Sequence, residues 1–156
     1  MLKERIETEL KAAMKNLRVA EDKSAVQLRI STIRSIKAAV TEAETSGKTR
    51  KEMNDVEVES VIRKGIKTRK DSAEIYANAG ETERANTELA EIEVLSEFVP
   101  EQLSEDETRI LVEKIVSEQN LSGEGMRAIG KVMKELKSNS AVDPSVASRI
   151  AKEILQ

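Results

Sequence analysis

Apolar residues recur every three to four positions along nearly the whole chain, which is the spacing of an amphipathic α-helix. The first such segment carries Leu2, Ile6, Leu10, Met14 and Leu17. No strand-like alternation interrupts the pattern, and the only aromatic residues are Tyr76 and Phe98. The core must therefore be built from Ala, Val, Ile, Leu and Met, which pack readily between helices. With 156 residues, the chain predicts an all-α protein of one ordinary domain or two small ones.

Capping signals mark where several of the predicted helices begin. Asn54 with Glu57, and Ser104 with Glu107, have the spacing of a capping box, and Asp143 followed by Pro144 is typical of a helix start. The predicted helices cover about 2–17, 24–44, 54–79, 81–99, 105–119, 126–136 and 144–155.

Two breaks decide how these helices are arranged. Only Gly80 separates the third helix from the fourth, which predicts an antiparallel hairpin. Pro100 closes the fourth helix and divides long helices from short ones. We therefore expect an N-terminal subdomain of about four longer helices, residues 1–100, followed by a C-terminal three-helix bundle, residues 101–156.

The third helix carries an arginine within its apolar stripe. Arg69 lies within about 20° of the centre of the stripe on a helical wheel. A guanidinium in a core needs a carboxylate partner. The fourth helix offers Glu88 at about 40° from Ile92, which we take as the centre of its stripe. We predict an Arg69–Glu88 ion pair that fixes the register of the hairpin; a polar ligand pocket and a wrongly phased stripe are the alternatives.

Two rows of basic residues are the candidate binding surface. The first row is on the third helix and the second is on the sixth; together they comprise Arg63, Lys67, Lys70, Arg127, Lys131 and Lys134. Neither row is interleaved with aromatic residues, so base stacking is not expected. The rows fit contacts to a nucleic-acid backbone, although solvated helix faces have the same appearance.

Composition excludes several classes of function. The chain has no cysteine and no histidine, which removes disulfides, thiolate metal sites and the commonest general base. We expect no cofactor, no metal site and no catalytic residue. No apolar run is long enough to cross a bilayer, and the N-terminal segment is amphipathic, so a cytoplasmic protein is expected. The net charge is −3, with five basic and two acidic residues in 59–71 and an acidic segment at 81–107.

Four segments together resemble one known family. They are TIRSIKAAVTEAE at 32–44, VIRKGIKTRKDSAEIYANAG at 61–80, ELAEIEVLSEFVPEQLSEDE at 88–107 and IGKVMKEL at 129–136. The chain resembles the GatB/YqeY family over about residues 28–155. In particular, it is similar to the stand-alone YqeY-like proteins, which are similar to the C-terminal tail of the B subunit of glutamine-dependent aspartyl/glutamyl-tRNA amidotransferase.

The resemblance implies a helical module linked to tRNA-dependent amidation. The tail of the amidotransferase contacts the tRNA body, while the carbon–nitrogen ligase chemistry with glutamine as amide donor lies in other domains. We therefore expect binding of tRNA or of a tRNA-processing enzyme, without independent catalysis. The alternative is a protein-interaction module that uses the acidic fourth helix or the basic face of the sixth. The sequence does not predict an oligomeric state.

Overall fold

The computed structural model covers residues 1–156 and is all-α, which confirms the predicted fold class. Seven α-helices follow one another, with two short 3₁₀ turns before the sixth, at Leu121–Gly123 and Gly125–Ala128. The α-helices are α1 Leu2–Asn16, α2 Lys23–Thr45, α3 Asp55–Asn78, α4 Thr82–Ser96, α5 Glu105–Glu118, α6 Ile129–Leu136 and α7 Pro144–Leu155.

Side-chain caps satisfy the first amides of the central helices. Asn54 accepts a hydrogen bond from the Glu57 N–H, and the Glu57 carboxylate accepts one from the Asn54 N–H. Ser104 and Glu107 form the same reciprocal pair at the start of α5. Both predicted capping boxes are present. Each determines the residue at which its helix begins, because it provides acceptors for backbone amides that have no partner within the helix.

Two helix ends differ from the sequence prediction. α4 ends at Ser96 rather than next to Pro100, and the chain turns there with the Phe98 N–H donating to the Leu95 carbonyl. The residue before a proline avoids helical dihedral angles, which excludes Val99 from the helix. The turn from Leu95 to Phe98 ends the helix three residues before Val99. Residues 126–128, predicted as the start of α6, lie in the 3₁₀ turn Gly125–Ala128, and the α-helix begins at Ile129.

The chain divides into two compact units, Met1–Val99 and Pro100–Gln156. In the first unit α1, α2, α3 and α4 pack around a core in which Ile33, Ile62 and Leu95 are fully buried. Burial of side chains of this size stabilises a fold by roughly 1.5–3 kcal/mol each. In the second unit α5, α6 and α7 surround a core centred on Val112, Val132 and Ile150.

The turn between α3 and α4 is a Schellman motif. Gly80 has a φ of 76°, which favours glycine because it has no Cβ. The Glu81 N–H donates to the Tyr76 carbonyl and the Gly80 N–H to the Ala77 carbonyl, which is the bonding pattern of this motif. The motif reverses the chain in few residues, so α3 and α4 pack against each other as a hairpin.

A buried carboxylate holds the segment between α2 and α3. Glu44, near the end of α2, is only 6% exposed. It accepts hydrogen bonds from the Lys3 ammonium at 2.8 Å and from the Met53 N–H at 3.0 Å. The hydrogen bond from the Lys3 ammonium, and to a lesser extent that from the Met53 N–H, holds the pKa of the Glu44 carboxyl below its ordinary value. One side chain thus ties α1, α2 and the segment before α3 together.

Candidate functional site

Arg69 is half-buried on the inner face of α3 and contacts three elements at once. Its Nε donates to Oε2 of Glu91 on α4 at 2.6 Å, its Nη2 to the Ser35 hydroxyl on α2 at 2.9 Å, and its Nη1 to the Gly65 carbonyl at 3.2 Å. The side chains of Arg69 and Glu91 are 17% and 23% exposed. The arginine therefore links α2, α3 and α4 through hydrogen bonds to charged and neutral acceptors.

The partner of Arg69 is Glu91, and the predicted pair with Glu88 is not formed. The level of each glutamate along the hairpin accounts for the difference. Arg69 lies eleven residues before Gly80 and Glu91 lies eleven residues after it, and a tight antiparallel hairpin places such equidistant residues side by side. Centring the stripe of α4 on Leu95, which is fully buried, instead of on Ile92, which is half-buried, brings Glu91 within about 40° of the centre but leaves Glu88 within about 20°. The level along the hairpin therefore decides between the two carboxylates.

Gly65 makes room for this arrangement. A Cβ at Gly65 would lie 3.3 Å from Ile36 Cδ1 and 3.4 Å from Arg69 Nη1. Glycine in a helix costs about 1 kcal/mol relative to alanine, yet here it lets the guanidinium reach back over its own helix. Neither Gly65 nor Ser35 can be recognised from the sequence as a member of the network, because both roles depend on which helices are neighbours.

The basic row of α3 divides into one half-buried residue and two exposed ones. Burial lowers the pKa of the Arg63 guanidinium, an effect that Glu59 partly opposes. Lys67 and Lys70 are exposed and form no ion pair, although Asp71 and Glu74 lie one turn ahead of them. Two of the three predicted residues therefore present charge to solvent.

The second basic row divides in a different way. Arg127 lies in the 3₁₀ turn before α6, so the row does not follow one continuous α-helix. The Lys131 ammonium donates to both oxygens of Glu124, at 2.7 and 2.8 Å. Arg127 and Lys134 are exposed and form no ion pair. The sequence pattern thus predicts the exposed basic face but not the ion pair between Lys131 and Glu124.

Exposed residues of this type can hold phosphate groups. A Lys ammonium is a mobile point charge that suits phosphate oxygens, and Arg adds a planar fork. No group of three or more Asp and Glu residues could hold a metal ion. No helix of the chain is both long enough and apolar enough to span a membrane.

Comparison with known proteins identifies one family. A family described as Yqey-like protein matches residues 3–155, nearly the full chain. A search of curated proteins found none that matches this sequence.

Proposed function

This chain belongs to the Yqey-like protein family, and we propose that it is a helical module that binds tRNA or an enzyme that acts on tRNA. The proposal places it in the cytoplasm, alongside the glutamine-dependent amidation of aminoacyl-tRNA. Its part there is binding, and a separate enzyme supplies the carbon–nitrogen ligase chemistry. A chain without cysteine or histidine lacks the commonest nucleophile and base for releasing ammonia from glutamine.

One observation carries the proposal: both units present exposed cations that no carboxylate of the chain neutralises. Four of them lie in the two basic rows: Lys67 and Lys70 on α3, and Arg127 and Lys134 at α6. Phosphate contacts release condensed counterions from nucleic acid, and this release supplies most of the affinity of a protein that reads no sequence. Cations that remain available in the folded chain are the ones that can make such contacts.

The environment of the aromatic residues supports recognition of the backbone rather than of bases. Phe98 is 3% exposed, and Arg5 lies over its ring at 5.3 Å. Arg84 lies 5.7 Å from the centroid of the Tyr76 ring. Single-strand binders stack bases on open aromatic faces. With one ring buried and the other next to Arg84, we propose contacts to a folded RNA through its phosphates.

A titration of the full chain with bulk tRNA on filters tests the proposal. We expect binding that weakens steeply with salt and that drops when two charges are reversed, in Lys67→Glu/Lys70→Glu or in Arg127→Glu/Lys134→Glu. The matched control is Lys23→Glu/Lys48→Glu, which reverses two other exposed lysines without ion pairs. No binding at about 50 mM salt, where such contacts are strong, would rule the RNA role out.

Docking of a protein is the second candidate, and the exposed surface of α4 favours it. Leu89 is 50% exposed and lies between Glu88 and Glu93, neither of which forms an ion pair. An apolar residue among free carboxylates suits a basic partner. A pull-down that survives nuclease treatment and is lost in Leu89→Gln would select this function over RNA binding.

A further inference from the structure

A groove in the first unit lies between the end of α1 and the first half of α2. It has a volume of about 680 Å³ and is lined by Met14, Leu17, Gln27, Ile30, Ser31, Arg34 and Ser35. Its floor is apolar, and Met14 remains 45% exposed beside it. The basic rows on α3 and α6 contribute no residue to this lining, so the groove is a separate feature of the surface.

The groove carries positive charge without a balancing carboxylate. The only hydrogen bond of the Arg34 guanidinium is a weak one, from Nη2 to the Met14 sulfur at 3.8 Å. Both lining serines donate to carbonyls of their own helix, Ser31 to Leu28 and Ser35 to Thr32. Arg34 is therefore the only charged residue of the lining, and no carboxylate pairs with it.

Charged residues of both signs lie just outside the groove. Arg18 directly follows the lining residue Leu17, and Lys15 lies in the last turn of α1; neither forms an ion pair. Asp22, in the turn that joins α1 to α2, accepts the Ala25 N–H as the N-cap of α2. Glu21 and Asp22 carry the opposite charge, so the charge that favours an occupant with a carboxylate near apolar groups is that of Arg34 in the lining.

The shape of the groove selects a helix over a small molecule or RNA. The lining residues of α2 run from Gln27 to Ser35, about two helical turns at 1.5 Å per residue. An open groove of that length leaves most of a small ligand in water, whereas ligand pockets bury it. RNA would gain little from an apolar floor without an aromatic ring. A helix laid in such a groove places apolar anchors at i, i+3 or i+4, and i+7 against the floor.

We propose that this groove binds an acidic amphipathic helix of a partner protein. The apolar side chains of that helix would contact Met14, Leu17 and Ile30, and one of its carboxylates would pair with Arg34. The site is distinct from the proposed tRNA surface and does not depend on it. It gives the chain a second binding surface, directed at protein.

A displayed library of helix-forming peptides, selected against the full chain, tests the proposal. The apolar positions i, i+3, i+4 and i+7 vary among Leu, Ile, Met and Ala, and the others vary among Glu, Lys and Gln. We expect the enriched peptides to carry Glu beside the apolar positions. Their affinity should fall by about tenfold in Arg34→Glu, the effect of losing one well-placed charge pair, and also in Met14→Lys.

Lys48→Glu is the control, because it reverses one exposed charge outside the groove and should leave peptide binding unchanged. Circular dichroism confirms that each variant is folded. Enrichment of Lys-rich peptides, a library that yields no binder, or equal binding to Arg34→Glu would each overturn the proposal. So would a dimer in sedimentation equilibrium that Met14→Lys dissociates, since a second copy would then fill the groove. The proposal would also be wrong if tRNA competes with the peptides and Arg34→Glu lowers the affinity for tRNA as much as the affinity for the peptides.

Discussion

Arg69 and Lys70 are adjacent in the sequence, yet they lie on two regions of α3 with different roles. The Arg69 guanidinium contacts Glu91, Ser35 and the Gly65 carbonyl. The Lys70 ammonium is exposed and forms no ion pair. A rotation of about 100° about the helix axis separates a residue that joins three helices from one that is available to a partner.

The difference shows that the position of a cation relative to neighbouring helices, more than its residue type, decides its role. Glu44 and Glu42 repeat the contrast with the opposite charge. Glu44 is buried and bonded to Lys3 and Met53, while Glu42, two residues earlier on α2, is exposed and forms no ion pair. Arg69 and Glu44 therefore bond to neighbouring elements of the fold, whereas Lys70 and Glu42 remain available for binding.

The largest effect is expected from removing the inward cation. Arg69→Met keeps the apolar stem but leaves the Glu91 carboxylate without its guanidinium. We expect a loss of about 2 kcal/mol in the free energy of unfolding, below the 3–5 kcal/mol of a fully buried pair because both groups are partly exposed. Lys70→Met should stay within about 0.5 kcal/mol of the parent chain. Urea denaturation measures both.

The double variant Arg69→Met/Glu91→Leu sharpens this test. It removes both charges, so we expect most of the stability to return. If Lys70→Met is as destabilising as Arg69→Met, the distinction between the two faces of α3 is wrong.

Lowering the pH should remove the stabilisation that the buried Glu44 carboxylate provides. Because the folded-state pKa of Glu44 lies below its ordinary value of 4.5, its contribution to stability is fully present above that pH. The contribution is lost as the pH falls through the folded-state pKa. Glu44→Gln should therefore be less stable than the parent chain at neutral pH, and the difference should shrink in acid.

The matched control is Glu42→Gln, which removes an exposed carboxylate from the same helix. Urea denaturation at about pH 7, where the contribution is fully present, and at about pH 3.5, below the ordinary pKa of a glutamate carboxyl, measures how far the difference shrinks. A gap between Glu44→Gln and the parent chain that stays constant over this range would show that the carboxylate charge has no part in the stabilisation.

Much of the fold follows from the sequence because its signals are local. The apolar repeat and the caps at Asn54 and Ser104 predict helices and their starts, which depend on a few consecutive residues. The partner of Arg69 depends on how two helices lie side by side, and accepting an offset of about three residues along the hairpin selected Glu88 instead of Glu91. Counting from Gly80 in both directions would have identified the correct carboxylate.

The candidate site was less predictable, because exposure and pairing are tertiary properties. The spacing of Arg63, Lys67 and Lys70 is regular in the sequence, but packing half-buries the first of them. Lys131 meets Glu124 across the junction between a 3₁₀ turn and α6, which a regular helical wheel does not describe. The groove beside Arg34 forms only where α1 and α2 pack against each other, so the sequence of either helix alone does not predict it.

A smaller effect distinguishes members of one basic row. Lys67→Gln should lower the slope of log affinity for tRNA against log salt by about 1, the value for one lost phosphate contact. Arg63→Gln should change the slope much less, because its guanidinium is half-buried. Filter binding over a series of salt concentrations measures both slopes. Equal changes would mean that burial does not decide which cations meet RNA.

The smallest effect is expected where a cation is already paired. Glu124→Gln releases Lys131 from its ion pair, so tRNA affinity should rise by about twofold, in keeping with the modest strength of exposed pairs. Glu135→Gln, which removes an exposed carboxylate that forms no ion pair, controls for the change in net charge. The same gain in both variants would assign the effect to net charge rather than to Lys131.

The salt dependence of tRNA binding by the parent chain and by Lys67→Gln/Lys70→Gln tests the central claim most directly. The claim is that the outward cations of α3 are phosphate contacts. It predicts measurable binding at about 50 mM salt and a slope that falls by about 2 in the double variant, one unit for each lysine. An unchanged slope, or no binding by the parent chain, would contradict it.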